Sequence, residues 1–367
     1  MMPALFRTGR VALVAVISFT AAASAHGAEP NYDQIVANAK EYLLQRGQAA
    51  DGSFSAQAGP AVTGLVVTAL LRNGASPDDP AIAKSLQYIE GFVHADGGIY
   101  APESKYQNYE TCMAIMCFSE ANKNGKYDKL LAGAEAFIRK LQWDGDEGHD
   151  ISSASYGGAG YGSHKRPDLS NTQFFLDALK SLDVGSDDEA VKKALVFVSR
   201  CQNLESEHNT FPYAAKVNDG GFYYSVAAGG SSQAGTTENG GLRSYASMTY
   251  AGLKSMIYAG VSADDPRVQA AVAWLEKNYD LESNPGMGDA GLYYYYNTFA
   301  KALDAYGQET FTDASGKEHN WRQELLETLA AKQQPDGSFI NTNARWMEGD
   351  ANLVTGYALL ALAYCKP

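Results

Sequence analysis

Beyond its N-terminus the chain lacks any apolar run long enough to cross a bilayer. It also lacks clustered Lys and Arg. Its 367 residues carry 29 basic and 42 acidic side chains, a formal charge of −13. Phosphate contacts need clustered cations, so nucleic acid is a poor partner, and anionic membrane surfaces are equally poor. Cysteine is scarce. Cys112, Cys117, Cys201 and Cys365 are too few for a disulfide scaffold, and their spacing does not choose partners. Cys112 and Cys117 stand five apart in an apolar helical stretch and read as buried thiols. The six histidines, His26, His94, His149, His164, His208 and His319, are scattered without an i, i+4 pair and offer no zinc motif.

What is present begins with a leader. Arg7 and Arg10 precede the short apolar run Val11 to Thr20, and Ala23-Ser24-Ala25 offers a small-x-small cleavage site. Residues 1–25 therefore read as a secretory signal peptide cleaved near Ala25, with the mature protein exported to the periplasm or secreted. Its removal leaves 27 basic against 42 acidic residues, a formal charge of −15. Residues 26–367 can form two ordinary domains or one large repeat ring.

A recurring pattern decides between them. A helical segment ends in a glycine turn, and a second helix then begins near a threonine. The turns are Asp51-Gly52-Ser53-Phe54, Asp96-Gly97-Gly98-Ile99, Tyr156-Gly157-Gly158, Asp219-Gly220-Gly221-Phe222, Asp289-Ala290-Gly291-Leu292 and Asp336-Gly337-Ser338-Phe339. Gly reaches positive φ without penalty and Asp bonds its own backbone, so these are strong turn signals. The threonines are Thr63, Thr111, Thr172, Thr249, Thr298 and Thr355, followed by apolar residues at i+3 and i+4 spacing. Pro80 and Pro266 mark helix starts. The second helices are richer in Ala, Gly and Thr and suit an inner ring. The first carry more charge and suit an outer one. The expectation is an all-α (α/α)6 toroid of six helical hairpins, twelve helices, closed rather than an open solenoid, because neither terminal hairpin looks like a polar cap.

Gln48-Ala49-Ala50-Asp51-Gly52-Ser53-Phe54 and Gln334-Pro335-Asp336-Gly337-Ser338-Phe339 resemble the glutamine-and-aromatic repeat of squalene and hopene cyclases and of prenyltransferase β subunits. The resemblance runs over residues 33–365 and implies their toroid fold. It does not carry function by itself. The protonating cyclases of that superfamily place an Asp-x-Asp-Asp run before the inner-helix threonine. The nearest equivalent here is Asp168-Leu169-Ser170-Asn171 before Thr172, in which two acids are replaced. Glu110 is the only acid directly beside one of these threonines. Prenyltransferases hold zinc with Asp, Cys and His, and the Asp-x-Cys element of that set is absent. No metal and no cofactor is expected.

In a hairpin ring the loops leading into the inner helices emerge on one face, around a central cavity. Two of them, Asp144 to Pro167 and Asn203 to Arg243, are long and dense in Gly, Ser and Tyr, and are candidate lids. The polar groups that could converge there are Asp168, Asn171, Glu238, Arg243, Tyr245, Asp289, Tyr296, Asn297, Arg345, Glu348 and Asp350, with Tyr224 and Trp346 as aromatic contacts. Asp168, Glu110 and Asp350 are the candidate acids. Plainer roles stand beside these. Asp168 and Asp350 can be helix caps, Asn171 and Asn297 bridges between helices, the Tyr293–Tyr296 run packing, and Glu348 with Arg345 a solvated pair. Three functions fit: a terpene-cyclase-like toroid holding an apolar isoprenoid or lipid, a carbohydrate-active lyase or hydrolase, and a non-catalytic binding or scaffold protein. The first is the preferred expectation, with a small-molecule or lipid ligand as partner.

Overall fold

The structure is a computed structural model that describes residues 31–162 and 166–367. The leader expected over residues 1–25 lies outside the described residues, as do His26 and His164. Six pairs of helices follow one another. They are α1 (Tyr32–Tyr42) with α2 (Pro60–Arg72), α3 (Pro80–Glu90) with α4 (Gln107–Ala121), and α5 (Asp128–Arg139) with α6 (Leu169–Ser181). Then come α7 (Glu189–Arg200) with α9 (Ala246–Tyr258), α10 (Pro266–Lys277) with α11 (Leu292–Tyr306), and α12 (Trp321–Lys332) with α13 (Ala351–Leu362). A short helix, α8 (Pro212–Val217), lies inside the segment expected to be loop between residues 203 and 243, so thirteen α-helices stand among the described residues where twelve were expected. A two-stranded ribbon, β1 (Phe311–Thr312) and β2 (Glu318–His319), precedes α12.

The second helix of each pair packs against the next such helix: α2 on α4, α4 on α6, α6 on α9, α9 on α11, α11 on α13, and α13 back on α2. That circuit is the inner ring. Its members are buried on nearly every side; α2 exposes little beyond its last turn, whereas α1 buries only Ile35, Val36 and Ala39. Small residues let these helices approach. A Cβ on Gly64 would come within 3.3 Å of the Met113 carbonyl of α4, and one on Gly356 within 2.5 Å of Leu65.

The recurring turn has a single geometry. Asp51, Asp96, Asp219 and Asp336 each accept the N–H two residues on. The residue closing the turn donates its N–H to the threonine: Phe54 to Thr63 at 2.9 Å, Ile99 to Thr111 at 3.0 Å, Ala159 to Thr172 at 3.0 Å, Phe222 to Thr249 at 3.0 Å and Phe339 to Thr355 at 2.9 Å. The hydroxyl thus satisfies a buried backbone donor that the turn leaves over. The turn glycines adopt positive φ and lie against an outer helix. A Cβ on Gly52 would meet the Lys84 carbonyl of α3 at 2.7 Å, and one on Gly337 the Asn38 carbonyl of α1 at 2.3 Å. The last turn therefore seats on the first helix.

The fifth unit departs from this. Gly291 caps α11 at φ 68°, and Thr298 bonds only carbonyls of its own helix, those of Tyr294 and Tyr295. Glu348 takes over instead, accepting the N–H groups of Tyr293 and Tyr294 at 3.2 and 2.8 Å. All four cysteines are free and buried. Burial raises their thiol pKa values, that of Cys365 to about 12, so they are inert thiols.

Candidate functional site

The N-terminal turns of all six inner helices face one hollow on the ring axis. It encloses about 630 Å³. The residues one and two places before the threonine supply its wall in four units: Ala61 and Val62, Tyr109 and Glu110, Ser170 and Asn171, Ser247 and Met248. Phe174 and Tyr357, each two places after a threonine, add rings from α6 and α13. The loops bring Tyr161, Tyr224 and, at the mouth, Tyr106 and Trp346.

The wall is an aromatic belt. Tyr161 meets Tyr109 at 6.3 Å between centroids, Tyr109 meets Phe174 at 5.4 Å, Phe174 meets Tyr294 at 6.1 Å and Tyr294 meets Tyr357 at 6.0 Å. These are mostly edge-on or tilted contacts of the kind aromatic quadrupoles favour. Burial raises the phenol pKa values of Tyr109, Tyr245, Tyr294 and Tyr357, and that of Tyr161 to about 12. The belt therefore presents neutral rings and neutral hydroxyls. Ser170 and Gln173 hold the Tyr294 hydroxyl at 3.1 and 3.0 Å and fix its direction.

Three carboxyl groups line this hollow: Glu103 is exposed, and Glu110 and Glu348 are buried. Glu110 accepts the Ala101 N–H and the Ser104 hydroxyl, each at 2.8 Å, and Glu348 accepts the two α11 N–H groups and Asn341 at 2.6 Å. Both are buried, and desolvation raises both pKa values against the lowering effect of those bonds. Both stand at converging helix N-termini, whose positive dipole ends favour a carboxylate there. Among the described residues, no group of three or more acidic, His or Cys side chains is arranged to hold a metal ion.

Six of the expected site residues thus meet in the cavity: Glu110, Asn171, Tyr224, Tyr245, Trp346 and Glu348. The others do not reach its wall. Asp168 caps α6, accepting the Asn171 N–H at 2.9 Å, and lies buried behind Asn171 and Tyr224. Burial pushes its carboxyl up to about 6, opposed by the Asn171 bonds and by Arg166. Asp350 caps α13 and also accepts from Ser55 and Gln57, tying the last unit to the first. Tyr296 turns outward, its hydroxyl donating to the Leu281 carbonyl at 2.7 Å, and Asn297 is buried within the helix layers. Those two follow from the register slip of the fifth unit, where the cavity is reached from Tyr294. Glu238 and Asp289 are exposed. Arg243 is exposed and bonds the Thr236 carbonyl of its own loop. Arg345 is exposed, stacks on Trp346 at 4.1 Å and donates to Gln233, a residue of the cavity lining, without lining the cavity itself. Glu348 is therefore not the solvated partner of Arg345. Sequence reasoning missed Tyr109, Phe174, Met248, Tyr294 and Tyr357, although the offset from each threonine marks four of these five.

No protein-family model matches the chain, and no curated protein matches it. Solved structures do. A type II terpene cyclase from Scytonema, MstE, in complex with the product merosterolic acid A, aligns over 91% of this chain and 96% of its own, with 14% identity and a TM-score of 0.53. A possible member of the GH105 family from Salmonella enterica aligns over 93% and 95%, with 11% identity and a TM-score of 0.52. A glycosyl hydrolase of family 88 from Bacteroides vulgatus aligns over 91% and 97%, with 11% identity and a TM-score of 0.51. The chain has the α/α toroid fold that these terpene cyclase and glycosyl hydrolase structures share.

Proposed function

We propose that the ring, built as six hairpins in succession, binds an apolar isoprenoid or lipid in its axial cavity. The observation that carries this reading is the wall itself. Ala61, Val62, Phe174, Met248 and Leu353 form apolar surface, neutral tyrosine rings complete the belt, and the two buried carboxyls, Glu110 and Glu348, have pKa values raised by desolvation. A mostly apolar hollow with a few fixed polar groups selects a ligand that is largely hydrocarbon with a small polar end. Aromatic faces also stabilise a cation formed inside. If the ligand is transformed, Glu110 and Glu348 are the buried acids on the wall, whereas Asp168 lies behind Asn171 and Tyr224 and does not reach it. The cyclase neighbour, solved elsewhere with the substrate geranylgeranyl dihydroxybenzoate, is consistent with this ligand class. We place the protein outside the cytoplasm on its leader sequence alone.

Carbohydrate binding is the second reading, favoured by the half-exposed Trp346 and Tyr106 at the mouth and by the hydrolase neighbours. Native mass spectrometry of the purified protein, with solvent extraction of whatever co-purifies, separates the two. A bound isoprenoid or other lipid supports the proposal. A glycan adduct transfers it to the second reading, and an empty cavity that takes neither class leaves a scaffold.

A further inference from the structure

The inner helices run parallel, so the end of the ring opposite the cavity gathers their C-terminal turns. A second hollow of about 300 Å³ opens there, and its lining shares no residue with the first. Its chemistry is inverted. The chain as a whole is acidic, yet this hollow is lined by Arg72, Lys180 and Lys301 against Asp177 and Glu120.

The charges are not balanced in pairs. Asp177 of α6 is buried and uses both oxygens: one takes the ammonium of Lys254 from α9 at 2.5 Å, the other that of Lys301 from α11 at 2.7 Å. One carboxylate thus faces two ammonium groups whose side chains are 0% and 7% exposed. Lys254 also donates to Gln173. Desolvation, with Lys301 among the further causes, lowers the Lys254 pKa to about 8 despite Asp177, as expected where cations outnumber acids. Arg72 pairs with Glu120 at 2.6 Å, which balances those two. Lys301 spends one of its three donors on Asp177. Lys180, exposed on the rim, adds a further positive charge. Hydroxyls of Ser181, Tyr258 and Tyr364 stand between them.

We propose that this second hollow binds a small oxyanion with the size and charge of phosphate, held between Lys301, Lys180 and Arg72. The competing account is that the cations only answer the negative ends of six converging helices. Against it, the bonds of Lys254 and Lys301 go to side chains, not to the terminal carbonyls.

The test is calorimetric titration of the full mature chain with sodium phosphate, against sodium chloride at matched ionic strength, in the wild type, Lys301→Met and Lys180→Ala. Saturable one-site binding is expected, weakened about tenfold in each variant, the equivalent of one charge-assisted bond. Lys180 is on the rim and outside the buried cluster, so its loss leaves the fold intact and keeps the test decisive if Lys301→Met unfolds. Absence of saturable heat at millimolar phosphate, or equal affinity in Lys180→Ala, overturns the proposal. Neither result bears on the axial cavity, whose residues are untouched.

Discussion

Asp168 shows how one residue can satisfy the sequence pattern of an acid catalyst and yet be placed for another task. Its carboxylate caps α6 and holds Asn171 on the cavity wall through two bonds of 3.0 Å from the amide nitrogen. Burial raises its pKa to about 6, above its ordinary value of 3.8. The native state then binds the proton more tightly than the unfolded chain does. This contribution to stability is complete below the ordinary value and is lost as pH rises through the folded value. Across that window the loss amounts to about 3 kcal/mol. Comparing urea unfolding of the wild type and Asp168→Asn from pH 4 to pH 7 checks this. The wild type should lose stability relative to the variant as pH rises, and a constant difference would mean that Asp168 titrates normally.

At the scale of elements, the glycine turns weld each hairpin to its neighbour, and the last weld closes the ring. Gly337 has φ 88° and no room for a Cβ beside the Asn38 carbonyl, whereas Gly307, at φ 77°, has nothing within 4 Å. Gly307→Ala should cost only the backbone strain, about 1–2 kcal/mol. Gly337→Ala adds a collision with backbone and should cost roughly 2–5 kcal/mol. Chemical denaturation of the two variants measures the difference, and equal losses would mean that the turn does not seat on α1. These elements were the most legible part of the sequence, because Asp-Gly turns and the following threonine are local signals with one physical cause. The fifth unit was not. Its threonine bonds carbonyls of its own helix in place of a turn N–H, Glu348 from a distant loop caps α11, and the register of Tyr296 and Asn297 is displaced as a result. A contact between residues 54 positions apart leaves no local trace. The exposed positions of Glu238 and Arg243 were equally illegible, since a long loop carries no periodicity to say which way its side chains face.

At the scale of the molecule, six parallel inner helices polarise the axis. Acids gather at the N-terminal end, in Glu110, Glu348 and the caps Asp168 and Asp350, and cations gather at the other, in Arg72, Lys254 and Lys301. The acids complement the positive dipole ends that they face, whereas Lys254 and Lys301 answer the side chains of Asp177 and Gln173. The first end encloses the aromatic cavity, and the claim that it holds a hydrocarbon ligand is the centre of this account. Met248, buried on the wall from α9, is the place to challenge it. The direct measurement is a fluorescence titration with geranylgeraniol of the wild type and of Met248→Trp, with circular dichroism to show that both are folded. The account predicts saturable binding to the wild type, weakened at least about tenfold when the indole fills the hollow. No binding to the wild type, or equal binding to a folded Met248→Trp, would contradict it.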